Sequence, residues 1–529
     1  MSEAEQAPEQ GQDRSGAESL VQTFVDAGVK VCFANPGTSE MQLVAAIDKQ
    51  DGMEAILGLF EGVVTGAADG YARMTDAPAA TLLHLGPGLA NGLANIHNAR
   101  RAHTAMINIV GDHAVDHLKY DAPLTSDIVG IASPMSDWVR TSSSPSDLAV
   151  AGAEAIVASQ IYPGQIATVV APGDHAWTDG AEAATCGKIP DVQKVSELDV
   201  SEAAAVLKNR TRKSALFLGG RALREAALFH AGRVVAATGA RIICETINAR
   251  WQRGAGRVMA ERLPYFSEMA VKYLDGLEQI VFVGCKPPVA FFAYPGKKSW
   301  ISPKRAKLVQ LAEVSTDAED ALRRLADELD APRLPANVQD ETPANFERGK
   351  LTRESAGVII SKLMPENAIV SDESGTSGGA AFRYSAGGPK HDWLMITGGA
   401  IGQGLPVAVG AAVACRERKV IALQADGSGM YTVQALWTMA RENLDVLTII
   451  MKNNSYGILN IELGRVGVAH PGSKALSLLD LSNPTLNWVS ISEGLGVKAV
   501  RAETTDEFFE AVSRAMDSKG PRLVEALLV

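Results

Sequence analysis

The chain reads as an α/β protein made of three doubly wound parallel-sheet units, and two observations predict this. Short apolar runs rich in Val and Ile alternate with longer segments of helical period, and two compositional breaks divide that rhythm into three. Ala105–Val110, Ile166–Val170, Ala215–Leu218, Gln279–Val283, Val420–Gln424 and Val446–Met451 have the length and continuous apolar character of strands buried on both faces. Between them lie Ala-rich amphipathic segments such as Glu18–Ala27 and Leu148–Ala158, which read as the covering helices. One break falls at Ala181–Val200, where turn residues, a proline and charges interrupt the apolar rhythm. The other is Asp330–Asn345, with Pro332, Pro335 and Pro343 among several acids. The expected division is a disordered lead-in at 1–14 and units at 15–185, 186–345 and 346–529.

The lead-in is polar and rich in Glu and Gln, without the basic start and apolar run of a signal peptide. No apolar stretch is long and charge-free enough to span a bilayer, so the cytoplasm is the expected location. The 529 residues carry a net charge of −11, which favours neither a nucleic-acid groove nor an anionic membrane. The five cysteines (Cys32, Cys186, Cys244, Cys285 and Cys415) are scattered and never form a C-x-x-C pair. That argues against a disulfide framework or a structural zinc site.

The first and last units echo each other. Thr81–Asp112 and Leu394–Asp426 both read as strand, Gly-rich turn, small-residue helix and a strand ending in Asp. This hints at a duplicated unit.

Chemistry concentrates in Val420–Leu459. A strand runs into Ala425-Asp426-Gly427-Ser428-Gly429. A helix with Gln434, Leu436 and Trp437 follows, then a second strand and Lys452-Asn453-Asn454-Ser455-Tyr456-Gly457. A strand entering Asp-Gly-Ser at a helix start suits a diphosphate, because glycine lets peptide N–H groups reach the oxygens and the helix start favours anions. A diphosphate calls for a hard cation such as Mg²⁺ with octahedral oxygen ligands. Asp426 and Asn453 offer carboxylate and amide oxygens from neighbouring strand ends, and Ser455 a carbonyl.

An Asp-Gly at a strand end, followed one helix and one strand later by Asn-Asn, resembles the signature of thiamine-diphosphate enzymes, here with Ala425 where the family usually has glycine. The resemblance makes the three units pyrimidine-binding, middle and diphosphate-binding domains, and implies thiamine diphosphate and Mg²⁺. It places Gly427, Ser428 and Tyr456 with Asp426 and Asn453 around the diphosphate, and Ser374 and Thr376 of Ser371–Thr376 at its far side. In Thr397–Gly404, a large apolar residue stands among glycines. The resemblance makes Ile401 the wedge that bends the cofactor, a proximity effect, and puts Gly399 beside it. Glu61, between an apolar strand and a helix studded with Gly and Ala, takes the part of the glutamate that hydrogen-bonds the cofactor's aminopyrimidine. In an apolar crevice a carboxyl group favours its proton-bearing form.

The nearest likeness is to benzoylformate decarboxylase and to acetolactate-synthase large subunits. His84 falls where the decarboxylase has a catalytic histidine, and a histidine at a strand end can exchange protons near neutral pH. Two departures stand against it: the decarboxylase's second histidine has no match around Val289–Tyr294, and the synthases' glutamine falls near Leu124. His113, and less so His117, could fill the gap. Thr38, after the Asn-Pro-Gly turn, is placed on the substrate carboxylate. The implied activity cleaves or forms the carbon–carbon bond next to the carbonyl of a small 2-oxo acid. The implied assembly is a homodimer or dimer of dimers whose sites lie between subunits. Two other readings stay open: an enzyme of acyl-CoA substrates, with Lys297, Lys298, Lys304 and Arg305 as the basic group, and an inactive cofactor-binding partner subunit. Gly86-Pro87-Gly88 lacks the third glycine of a dinucleotide fingerprint. Whether the middle domain holds FAD, another nucleotide or nothing is left open.

Overall fold

The computed structural model describes residues 14–342 and 345–529. The expected lead-in therefore lies outside the described residues except for Arg14, which is not disordered. It forms β1 (Arg14–Ser15) and pairs with β8 (Asp179–Ala181) at the end of the first unit. Between these lie β2 (Val31–Asn35), β3 (Glu54–Leu57), β4 (Ala79–Leu83), β5 (Met106–Asp112), β6 (Trp138–Thr141) and β7 (Ile166–Pro172). They form a parallel sheet in the order β3-β2-β4-β5-β7-β6. The next strands are β9 (Ser214–Leu218), β10 (Arg241–Cys244), β11 (Trp251–Arg253), β12 (Glu261–Arg262), β13 (Gln279–Val283) and β14 (Lys307–Ala312). All but β11 make a parallel sheet ordered β12-β10-β9-β13-β14. Last come β15 (Ala368–Glu373), β16 (His391–Met395), β17 (Val420–Ala425), β18 (Val446–Lys452), β19 (Lys498–Ala502) and β20 (Arg522–Leu527), ordered β11-β16-β15-β17-β18-β20-β19.

The mixed last sheet departs from the all-parallel expectation. β11 comes from the middle stretch of sequence, yet it pairs antiparallel with β16, Trp251 opposite Trp393. Buried Trp251 and Trp393 both pack on Phe382, and the Arg253 guanidinium lies 3.7 Å from the Phe382 ring centroid. Aromatic packing thus holds a three-residue edge strand that has no periodicity to reveal it.

Without β11, the first and last sheets share one strand order, counted along each unit as 2-1-3-4-6-5. The echo in sequence is therefore real but shifted by one strand. The counterpart of β16–helix–β17 is β3–helix–β4, not β4–helix–β5. The two equivalent helices, Glu61–Thr75 and Gly404–Ala414, pack on each other at backbone distance. A Cβ on Gly70 would lie 2.1 Å from the Val407 carbonyl oxygen, and one on Gly410 would lie 1.8 Å from that of Ala67. The small residues of the Glu61 helix serve this helix-to-helix approach.

One buried apolar cluster runs from the first sheet into the last, and another joins the middle and last sheets. At their junction, the buried Arg73 and Asp69 form a two-pronged ion pair, with Nε to Oδ1 at 2.8 Å and Nη2 to Oδ2 at 2.6 Å. Arg73 also donates to the Ala249 and Met395 carbonyls at 3.1 and 2.7 Å, and Thr104 and Gln403 donate to Asp69 at 2.6 and 2.7 Å. This network ties all three units together. Asp69→Ala would leave the guanidinium buried without its counter-charge, so it is expected to cost about 3–5 kcal/mol, read as an earlier urea midpoint.

Candidate active site

Two groups of side chains gather at the carboxyl ends of the first and last parallel sheets, where α/β folds place their ligands. In the last sheet, Asp426 follows β17 directly and is 1% exposed. Its Oδ1 accepts from the Gly427 N–H at 3.0 Å, and its Oδ2 accepts from those of Asn453 and Asn454 at 3.2 and 2.7 Å. Burial raises its pKa above the ordinary range, opposed by these same N–H groups. No lysine or arginine pairs with it among the described residues. Asn454 takes a left-handed φ of 52°, which turns the chain so that successive N–H groups face the carboxylate. Asn453 Oδ1 accepts from the Ser455 N–H at 3.0 Å.

The residues predicted around Asp426 are brought together. A Cβ on Gly427 would meet the Tyr456 ring at 2.6 Å, so only glycine fits beneath it. A Cβ on Gly457 would come within 3.0 Å of Thr376 Oγ1 and 3.5 Å of Asn453 Nδ2, which puts Thr376 beside the Asn453 loop. Ser428 Oγ accepts from Gln424 Nε2 at 2.6 Å. The Ser374 hydroxyl turns back to Asp372, leaving its neighbours to face the loop. The single helix expected after Asp-Gly-Ser is broken into a four-residue turn Asp426–Gly429, a 3₁₀ turn Met430–Thr432 and the helix Ala435–Arg441.

Ile401 is half-buried on a turn whose glycines Gly399 and Gly402 have φ of 76° and 96°. The turn docks on the helix Leu85–Arg101 of the first unit. There Asn98 Nδ2 donates to the Ala400 carbonyl at 2.8 Å, and Asn95 Nδ2 to the Gly402 carbonyl at 3.2 Å.

In the first sheet, Glu61 opens its helix and is 7% exposed, with Asn91 Nδ2 donating to its Oε2 at 3.0 Å. A Cβ on Gly88 would stand 3.2 Å from Glu61 Oε1 and 3.3 Å from His84 Cβ. Glu61 and His84 thus both approach one glycine of Gly86-Pro87-Gly88, which is not a free turn but the start of the helix Leu85–Arg101. Leu85, straight after His84, has a φ of 52°, a costly backbone for a branched residue. His84 Nδ1 faces Glu40 Oε2 at 2.8 Å and Ser39 Oγ at 3.2 Å. Glu40 is fully buried and also accepts from the Gly37 N–H and the Ser39 hydroxyl, both at 2.7 Å.

Glu40, Asn91 and Glu373 are the site residues that sequence reasoning missed. Only Glu40 left a local signal, an acid three residues after the Gly37 turn. Thr38 starts that short 3₁₀ turn and is exposed. His113 lies two residues past Gly111, whose Cβ would press on Glu40 at 1.8 Å, and its Nε2 is buried without a partner. His117 is exposed, its ring 5.2 Å from that of His113. Where the second histidine was sought, Phe291 stacks on Tyr265 at 4.7 Å, and Tyr294 donates to Glu462 of the helix Gly457–Arg465. In the middle sheet, the space at Gly219 after β9 is filled by Glu245 and Cys285, whose atoms would lie 2.3 and 2.6 Å from a Cβ there.

The donor set suits a magnesium diphosphate. One carboxylate, one amide oxygen and the Ser455 carbonyl would offer hard oxygen donors. Among the described residues, no group of three or more His, Cys, Asp or Glu side chains gathers as a softer metal would want. Gly427 leaves a cradle that any side chain would fill.

Comparison with known proteins agrees with this geometry. Residues 14–131 match the thiamine pyrophosphate enzyme N-terminal binding domain, and residues 373–526 match the C-terminal binding domain. A Mycobacterium tuberculosis protein described as "Putative acetolactate synthase large subunit IlvX" is 50% identical, over 97% of this chain and 99% of its own. A Pseudomonas aeruginosa benzoylformate decarboxylase is 28% identical over 94% of this chain and 96% of its own. The structure of a Rhodococcus jostii thiamine diphosphate-dependent 4-hydroxybenzoylformate decarboxylase superposes with a TM-score of 0.84 at 23% identity, covering 97% of this chain and 99% of that one. Together, the matched binding domains and the 50% identical full-length relative show that the chain belongs to the thiamine pyrophosphate enzyme family.

Proposed function

We propose that the chain uses thiamine diphosphate and Mg²⁺ to cleave or form the carbon–carbon bond next to the carbonyl of a small 2-oxo acid. The observation that carries the reading is the approach of both Glu61 and His84 to the one glycine Gly88. One is a buried carboxyl group, the other an imidazole anchored at Nδ1 by Glu40. Two proton-handling groups of different kinds, one after β3 and one after β4 at the same edge of the sheet, suit a reaction that removes one proton and delivers another. The names of the relatives, a benzoylformate decarboxylase and an acetolactate synthase large subunit, support the 2-oxo acid.

When bound, the cofactor supplies a nucleophilic carbon and a sink for the electrons left by CO₂. The chain's own residues do the rest. Asp426, Asn453 and the Ser455 carbonyl hold the cation, and Gly427, Ser428, Thr376 and Tyr456 line the diphosphate. Ile401 and Gly399 shape the bend, and Glu61 holds a proton at the pyrimidine. His84, with its Nδ1 occupied, presents Nε2 for proton transfer. Thr38 meets the substrate carboxylate, and His113 is the second proton carrier. The reading includes an assembly of two or four copies, with Glu61 and Asp426 of different copies serving one site, in the cytoplasm.

Product analysis by NMR tests it, using the purified chain, Mg²⁺, thiamine diphosphate and a panel of 2-oxo acids that includes pyruvate and benzoylformate. Consumption with CO₂ release is expected. Aldehyde as product makes the chain a decarboxylase, and a 2-hydroxyketone or acetohydroxy acid makes it a carboligase. Bound cofactor with no 2-oxo acid consumed would sink the reading and return the acyl-CoA and inactive-partner alternatives.

A further inference from the structure

Glu373 ends β15 and is 5% exposed, yet no cationic side chain pairs with it among the described residues. A buried carboxyl group without a counter-charge is costly and needs hydrogen bonds to persist. Two peptide N–H groups supply them. Gly402 donates to Oε1 at 2.6 Å and Gly404 to Oε2 at 2.5 Å. The two donors flank Gln403, so the carboxyl group grips the backbone as a fork across three residues, the first of which follows Ile401.

An acid near a helix start is ordinary, and Gly404 does open the helix Gly404–Ala414. Gly402 lies before that helix, however, with a φ of 96°. Its carbonyl is held from the other side by Thr432 Oγ1 at 2.9 Å and Asn95 Nδ2 at 3.2 Å. The Gln403 side chain is held by Asp69 at 2.7 Å. Residues 402–404 are therefore fixed by both the first and last units, and Glu373 makes two of the bonds.

We propose that Glu373 is a positioning residue, whose carboxyl fork sets the height of Ile401 and through it the bend of the bound cofactor. The inference rests on the functional reading above. Two details support it. Gln424 Oε1, buried and without a partner, would lie 2.5 Å from a Cβ on Gly404, and Glu373 Oε2 would lie 3.0 Å from the same point. Burial pushes the Glu373 pKa up to about 7, opposed by the Gly402 and Gly404 N–H groups that grip the carboxyl group. Glu373 is also followed directly by Ser374-Gly375-Thr376, so one residue joins the diphosphate turn to the wedge.

Glu373→Gln tests the inference, because an amide presents N–H where one of the two peptide donors now points. The full chain is loaded with Mg²⁺ and thiamine diphosphate. Cofactor affinity by calorimetry should hold, since the diphosphate ligands are untouched. The near-ultraviolet circular dichroism of the bound cofactor should change, and kcat should fall by about 10²-fold, as for a displacement near 1 Å. Glu373→Asp, too short to reach both N–H groups, should behave alike and carries the test if the glutamine variant does not fold. Wild-type dichroism and kcat in either variant overturn the proposal, and so does a loss confined to cofactor affinity. The dichroism needs no substrate, so it still reads the clamp if no 2-oxo acid is turned over.

Discussion

Glu61→Gln is expected to lower kcat by about 10²–10⁴-fold, the range of a lost general acid or base. The fold and the affinity for Mg²⁺ and thiamine diphosphate should stay intact. Glutamine has the shape of glutamate and keeps an oxygen for Asn91, which now donates to Glu61 at 3.0 Å. Gly88 leaves room on the other side. The amide, however, cannot take up or release a proton at neutral pH. Steady-state kinetics with calorimetric cofactor titration would check this, and unchanged kcat with bound cofactor would end the mechanism.

Asp426→Asn should strike the other half of the site. The three N–H groups that now point at the carboxylate would face an amide N–H₂ on one side. The negative charge that answers a divalent cation would also be lost. Changing a residue that merely supports a metal ligand costs up to about 100-fold in affinity, so removing a direct ligand should weaken Mg²⁺ by at least that much. Titrating Mg²⁺ into the chain with thiamine diphosphate present reads this. An unchanged magnesium requirement would place the cation elsewhere.

The parts of the site that could be read from sequence are those whose partners are close along the chain. Asp426, Gly427 and the Asn453 loop are linked by one helix and one strand, and they come together as expected. Glu40 and His84 are 44 residues apart and Glu61 and Asn91 are 30 apart, and no local pattern announces such pairs. Glu373 lies within Ser371–Thr376, but its side chain bonds Gly402 and Gly404, 29 and 31 residues further along the chain, and no local pattern shows that. Long apolar strands such as β5, β7 and β18 showed themselves through hydrophobicity. β11 did not, because three residues carry no period and its place is decided by Trp393 and Phe382. The repeated strand order was legible only as an echo, shifted by a strand, since Gly-rich turns follow several strands in both units.

Glu61 is the group through which the bound thiamine diphosphate would be activated. Deuterium exchange at the thiazolium C2 position, followed by NMR on the Mg²⁺-loaded protein in D₂O without substrate, tests this most directly. Exchange much faster than in free cofactor, and returned to the free rate by Glu61→Gln, is the predicted result. Exchange at the free rate in the wild-type protein, with cofactor shown to be bound, would contradict it.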